Sequence, residues 1–343
     1  MQVTTIGLDL AKRVFQVHGV DTDGRVVVQR RLQRGEVAAF FADLPPCRVG
    51  IEACATAHYW ARLIGTSGHQ VRLIPPSYVK PYVRRSKTDA ADAAAICESV
   101  GRPSMRFVPV KSAAQQAALL HHRVRDLLVR QRTMLINALR GHFAEFGIIA
   151  PVGRHRVVDL INLLQDVDDA DMPALAREAL RSLIAELQAI DVRIEAVEAV
   201  IVREHRTNPV SRRLASIPGI GPITASAIAA TVADPSVFRS GRELAAWIGL
   251  VPRQHSSGGK RKLGRVSKQG DRYLRRLLTI GATSVMRRLP GKTDGHSAWV
   301  RMLLDRRPFR LVSLALANKM ARIAWAVMVR QEDYRRPLAA AAV

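Results

Sequence analysis

The stretch VTTIGLDLAKRVFQVHGVDTDGRVVVQRRL, residues 3–32, decides the fold. Residues 3–9, 14–20 and 25–32 are rich in β-branched side chains and read as three strands. Asp21-Thr22-Asp23-Gly24 joins the last two as a turn and makes a β-meander. Outward from there the pattern changes. Residues 35–44 read as a helix, 48–53 (RVGIEA) as a fourth strand and 57–66 as a helix. Residues 70–74 (QVRLI) form a fifth strand, stopped by Pro75-Pro76. Thr88 is a good N-cap for a helix running to about residue 100.

Three antiparallel strands followed by strand–helix alternation predict an α/β domain of the ribonuclease-H type over residues 1–108. Such a sheet gives meaning to four acidic residues. Asp9 ends the first strand and Glu52 the fourth. In a sheet of this type those strands are neighbours, so the two carboxylates meet at one edge. Asp89 and Asp92 stand i and i+3 on one helix face. Taken singly, each reads as a cap or a solvated residue, and Asp89 as first-turn helix electrostatics. Taken together at element ends, they read as a two-metal site, which needs several carboxylates. All-oxygen donors favour Mg²⁺ or Mn²⁺ over zinc.

Charge points to the partner. The 343 residues carry 53 Lys and Arg against 29 Asp and Glu, a formal net charge of +24. Residues 251–343 hold 21 basic and 5 acidic side chains, net +16, whereas residues 1–100 and 101–250 each carry +4. A block this concentrated predicts a nucleic-acid surface. Carboxylates repel phosphate, so an acidic cluster in such a protein calls for a bound divalent cation.

Composition excludes other classes. Hydrophobic residues make up 48%, ample for two or three domains. Cys47, Cys54 and Cys97 form no CxxC pair, which predicts a reduced, cytoplasmic protein without structural zinc, and a partner that is DNA places it with the nucleoid. No export signal is visible. Residues 311–330 carry Asn318, Lys319 and Arg322 on one helical face, so the segment reads as a buried amphipathic helix, no stretch qualifies as a bilayer span, and no membrane partner is expected. The absence of a Walker-type loop argues against a kinase-like or phosphatase-like enzyme.

Beyond residue 108 the chain reads as helical. Leu120, Val124, Leu127, Leu128, Leu135 and Leu139 recur at helical spacing within 112–146. Pro151 to Asp171 reads as a linker with a short helix. Leu180, Ile184, Leu187, Ile190, Ile194, Val197 and Ile201 form a second run. The two runs predict an antiparallel coiled coil across 109–208, either a structural stalk or an oligomerisation element. A mainly helical C-terminal domain, 209–343, follows. Its Pro218-Gly219-Ile220-Gly221 turn resembles a helix–hairpin–helix, in which Gly219 and Gly221 let backbone N–H groups approach a phosphate. A tight structural turn is the other reading. Pro252 to Gly270 reads as a Gly/Ser/basic loop. There Arg253, Lys260, Arg261, Lys262, Arg265 and Lys268 surround Ser256 and Ser257. From spacing alone it is a flexible DNA-contacting loop, or else it holds a serine nucleophile.

These residues together resemble the DEDD transposases of bacterial insertion sequences, a family that includes the Piv-type invertases. The resemblance rests on IGLDLAK (6–12), GIEACATAHYW (50–60), KTDAADA (87–93), SIPGIGPITA (216–225) and AAWIGLVPRQHSSGG (245–259), in family order over nearly the whole chain. It implies a RuvC-like N-terminal domain with its tetrad on Asp9, Glu52, Asp89 and Asp92. It implies a serine nucleophile on Ser257 and a structured guide RNA that pairs with donor and target DNA. Many relatives have EATGTY after the tetrad glutamate; here the run is EACATAHY. The function expected is recombination of DNA by metal-assisted transesterification, carried out by a dimer or tetramer. The alternatives are a RuvC-like junction nuclease using metal-activated water and a non-catalytic nucleic-acid scaffold.

Overall fold

The computed structural model describes residues 2–83, 88–149, 153, 157–166, 172–260, 262–291 and 294–335. The chain forms two compact units, Met1–Gln116 and Ala117–Val343.

The first unit is built on β1 (Thr5–Asp9), β2 (Val14–Val20), β3 (Val26–Gln33), β4 (Arg48–Glu52) and β5 (Gln70–Ile74), in the order β3-β2-β1-β4-β5. The first three strands run antiparallel, while β4 lies parallel to both β1 and β5. The meander turn is closed by the Asp21 carboxylate, which accepts from the N–H groups of Asp23 and Arg25 at 3.0 and 2.9 Å. The helices are α1 (Val37–Ala42), α2 (Ala57–Thr66), α3 (Pro76–Val79) and α4 (Asp89–Val100). Pro75-Pro76 does stop β5, but Pro76 also opens α3, because its fixed φ suits a first helical position.

Alternation along the strands assigns the two faces of the sheet. Ile6, Leu8, Val49 and Ile51 are fully buried in one cluster with Val37 and Phe41 of α1 and Trp60 and Ile64 of α2. The opposite face receives α4. A Cβ at Gly7 would collide with the Ala93 carbonyl and lie 2.8 Å from Cys97 Cβ; one at Gly50 would lie 2.8 Å from Val100 Cβ. Two glycines thus let a helix backbone rest directly on the sheet.

The second unit is helical, with one small hairpin. The helix α5 (Ala113–Ala144) leads into it, followed by α6 (Val157–Asp166) and α7 (Ala174–Thr207). Antiparallel pairing of α5 and α7 is fixed by Arg125–Glu198 at 2.6 Å and Arg132–Asp191 at 2.9 Å. Leu128 packs with Ile190 and Ile194, and Leu139 and Phe143 with Leu180, Ile184 and Leu187. The expected single seam is only half right. Leu120 and Leu127 are 57% and 47% exposed, and Val124 is exposed too. At ~100° per residue they stand roughly 80° round the helix from Leu128, Leu135 and Leu139, so one partner helix does not cover both sets.

The remaining elements are α8 (Pro209–Ala215), α9 (Pro222–Thr231), α10 (Gly241–Ile248), β6 (Pro252–Gln254), β7 (Leu263–Val266), α11 (Arg272–Arg287), α12 (Gly295–Leu304) and α13 (Phe309–Arg330). They share one core, with Leu274, Leu278, Leu316 and Met320 fully buried at its centre. By length and composition α13 is apolar enough to cross a membrane, contrary to the sequence expectation. Here Val312, Leu316, Ala317, Met320, Ala321 and Ala324 are spent on that core. A buried polar network ties α5 into the unit. His122 bonds Tyr273 Oη at 3.2 Å and Ser226 Oγ at 3.1 Å, while Arg276 pairs with Asp126 and lies over the Tyr273 ring.

Candidate active site: an acidic sheet edge and a serine hairpin

Asp9 is in register with Gly7, and Glu52 with Gly50, so both carboxylates project on the face covered by α4. They are also neighbours, because β1 and β4 pair in parallel with Leu8 opposite Ile51. The direction of α4 completes the set. Cys97 lies near the start of β1, donating its Sγ to the Thr5 carbonyl at 3.6 Å, and Ala93 lies at Gly7. One turn further toward its N-terminus α4 reaches the strand end bearing Asp9, and there its first turn carries Asp89 and Asp92. Thr88 caps this helix, accepting from the Ala91 N–H at 3.2 Å.

The electrostatics record the convergence. The Asp9 carboxyl is pushed up to about 6, first by burial and then by the negative charges of Asp92, Asp89 and Glu52. Mutual repulsion of this kind is what a divalent cation removes, and the donors are hard oxygens, so the residues fit Mg²⁺ or Mn²⁺. Among the described residues the carboxylates are not drawn together as a ready-made coordination shell. Lys87, in the same motif, lies outside the described residues.

The segment expected to be a loop is a β-hairpin. Ser257 bridges Lys260, and the Lys260 N–H donates to the Ser257 carbonyl at 3.1 Å. Gly258 and Gly259 between them have φ of +54° and +75°, the two positive values a type I′ turn requires. The Gly-Gly pair was the legible signal, masked by the basic run that follows it. Ser256 is tied into the hairpin: Gln254 Nε2 and the Lys262 N–H donate to its Oγ at 3.1 and 3.3 Å. The Ser257 hydroxyl makes no hydrogen bond among the described residues. Alternation puts Ser257 on one face with His255, Lys260 and Lys262, all exposed. Arg265 lies exposed on β7, Arg253 donates to the Ser267 carbonyl at 3.4 Å, and Lys268 takes a left-handed φ of 55°. Arg261 lies outside the described residues.

The hairpin foot is fastened tightly. A Cβ at Gly249 would collide with Gln269, and one at Gly270 with the Trp247 carbonyl. Arg275 donates to the carbonyls of Ile248 and Gln269 at 2.8 and 2.7 Å, and Asn318 to that of Leu250 at 3.2 Å. Sequence reading missed Gly7, Gly50, Arg275 and Asn318; for the two strand glycines, their place inside a strand was the available sign. The Pro-Gly-Ile-Gly turn divides its glycines. Gly219, at φ +88°, faces the bundle, where a Cβ would lie 2.8 Å from Val285 and 2.9 Å from the Gly281 carbonyl. Gly221, the N-cap position of α9, faces open space.

An acidic strand edge and a hairpin rich in cations are chemistry suited to phosphate esters. Comparison with known sequences makes this specific. Residues 6–148 match a DEDD transposase domain, and residues 211–296 match the Transposase IS116/IS110/IS902 family. A probable family 20 transposase of Pseudomonas aeruginosa is 53% identical over 336 residues, spanning 98% of this chain and 99% of the relative. The transposase for insertion sequence element IS1111A of Coxiella burnetii is 40% identical, over 97% and 92%. A pilin gene-inverting protein of Moraxella bovis is 23% identical, over 82% and 80%. The chain belongs to the IS116/IS110/IS902 family of DEDD insertion-sequence transposases, enzymes that act on DNA.

Proposed function

We propose that this transposase recombines DNA by transesterification, with Ser257 as nucleophile and the Asp9, Glu52, Asp89, Asp92 tetrad as the metal-holding site of a RuvC-like domain. The observation that carries the reading is the state of the hairpin: Ser256 is engaged by Gln254 and Lys262, while the hydroxyl of Ser257 is free at an exposed, cationic tip. The strand order and the pair of adjacent parallel strands ending in Asp9 and Glu52 support the RuvC-like assignment.

Ser257 Oγ attacks the phosphorus of a phosphodiester and gives up its proton; His255, on the same hairpin face, is the candidate acceptor. A serine–phosphorus ester bond forms, the bond to the 3′ oxygen breaks, and that oxygen takes the proton from His255 and leaves as a 3′ hydroxyl. Lys260 and Arg265 stabilise the charge that develops on the non-bridging oxygens. The tetrad would hold Mg²⁺ or Mn²⁺, which would supply polarisation of a phosphoryl oxygen. Bond energy is conserved in the ester, so exchange needs no ATP.

The remaining basic residues, Arg253, Arg261, Lys262 and Lys268, together with the amides at Gly219 and Gly221, bind nucleic-acid backbone, including an element-encoded guide RNA. The exposed row Leu120, Val124 and Leu127 on α5 supports assembly as a dimer or tetramer.

The test traps protein–DNA adducts on a nicked suicide substrate and maps them by mass spectrometry. An adduct on Ser257, lost in Ser257→Ala and in Asp9→Asn, is expected. Cleavage at the normal rate by Ser257→Ala would show a hydrolytic nuclease instead. RNA co-purifying from the host cell, sequenced and mapped to the element's non-coding flank, tests the guide.

A further inference from the structure

Beside the hairpin foot lies a groove of about 840 Å³ that the proposed chemistry does not use. One wall is the outward face of α13, where Leu314, Asn318, Lys319 and Arg322 recur at helical spacing. Trp299 of α12, Arg242 of α10, and Pro252 and Val266 at the hairpin foot close it. Its volume falls within the roughly 300–1,000 Å³ of ligand-binding clefts.

The lining is amphipathic in one particular way. Two indoles, Trp299 and Trp325, stand with aliphatic side chains, and the polar charges are all positive: Arg242, Lys319 and Arg322. No carboxylate lines the groove, and none of the ion pairs among the described residues engages these three cations. Lys319 is fixed with its Nζ 4.0 Å over the Trp299 ring. Burial and the neighbouring Arg322 push its pKa down, as happens to a cation without a counter-anion.

A ligand that suits this lining is flat and aromatic at one end and anionic at the other, which describes a nucleotide. We propose that the groove takes an unpaired DNA strand, with a base against the indoles and its flanking phosphates on Arg242, Lys319 and Arg322. A base within a duplex has both faces stacked, so only an unpaired one has a face to offer an indole. Exchange of strands creates unpaired nucleotides near the cut, and the groove shares Pro252 and Val266 with the hairpin that carries Ser257. The inference rests on the chain acting on DNA, and its placement beside the cut rests on the Ser257 reading.

The experiment measures binding without cleavage, using the full chain and fluorescently labelled 12-mers as single-stranded DNA, duplex DNA and RNA of one sequence. Trp299→Leu should weaken single-strand binding by about 10-fold, a size typical of one lost base–aromatic stack, and Lys319→Met should weaken it as well and lower its salt dependence, because a phosphate contact is lost. Duplex affinity should stay within about twofold, because the rest of the basic surface holds it. A 2-aminopurine placed in the strand should be quenched by wild type and not by Trp299→Leu. If circular dichroism shows Trp299→Leu unfolded, Arg242→Ser with Arg322→Ser carries the test. Unchanged single-strand affinity, an equal loss on duplex, or tighter binding of the RNA than of the DNA would each overturn the proposal. Adduct formation at Ser257 is scored separately, so failure of one reading leaves the other standing.

Discussion

The acidic edge and the serine hairpin are positioned by opposite means. Asp9, Glu52, Asp89 and Asp92 hang from elements locked by a buried core, where Gly7 and Gly50 leave no room between sheet and helix. Ser257 stands on a turn whose glycines have nothing within 4 Å. Charge is sited oppositely too: the edge crowds like charges, whereas the hairpin spreads cations into solvent. Close packing can hold groups together against their repulsion, at the cost of tolerance to any added atom. A solvated turn holds one residue ready by backbone conformation alone.

The comparison can be broken most sharply at the chemistry. Asp9→Asn should lower adduct formation by roughly 10³-fold or more, the scale of a lost electrostatic contributor, while non-specific DNA affinity stays unchanged. Gel shift and adduct yield on one preparation decide it; a proportional fall in both would show that the edge serves binding.

Packing comes next. Gly7→Ala should destabilise the N-terminal unit by about 3 kcal/mol, since its Cβ would run into the backbone of α4 at Ala93 and Cys97 and into Cys97 Cβ. Gly221→Ala, in open space with φ of −85°, should stay within about 0.5 kcal/mol. Urea titration of both variants sharpens the contrast, and equal losses would refute the packing argument.

A third test concerns pH. Burial first, then Arg125 and His121, hold His122 down to about 4, from an ordinary 6.5. The unfolded chain therefore binds the proton more tightly than the native one. The stability carried by the neutral ring is complete above pH 6.5 and falls as pH drops toward 4, by at most about 3 kcal/mol. His122→Gln should flatten the fall in stability between pH 6.5 and 4, read by urea titration of wild type and variant at both pH values.

The smallest effect belongs to the turn. Gly258→Ala or Gly259→Ala forces a left-handed alanine and should cost about 1 kcal/mol of hairpin order, seen as faster amide exchange at Lys260. Global stability should hardly change, because among the described residues nothing lies within 4 Å of a Cβ at either glycine.

The sequence made the acidic edge legible because strands have period two and the tetrad falls at element ends. Where Asp89 and Asp92 sit depends on α4 running back along β1, a direction shown by the contacts at Gly7 and by Cys97 reaching the Thr5 carbonyl. The hairpin was read as a loop because its strands are short and basic, carrying no apolar alternation. Leu120 and Leu128 are both leucines in one helical run, and periodicity alone did not separate the face that meets α7 from the face that does not. In α13, composition resembles a membrane span, and only its packing tells where the apolar side chains go.

The crossing of Gly249 with Gln269 and of Gly270 with Trp247 has a consequence for inheritance and engineering. It makes the hairpin a cartridge. The residues that fix its seat, Gly249, Gly270, Arg275 and Asn318, all lie outside residues 254–263, and the proposed nucleophile Ser257 lies within them. Tips from different insertion elements can therefore be exchanged on one seat without redesigning the bundle beneath.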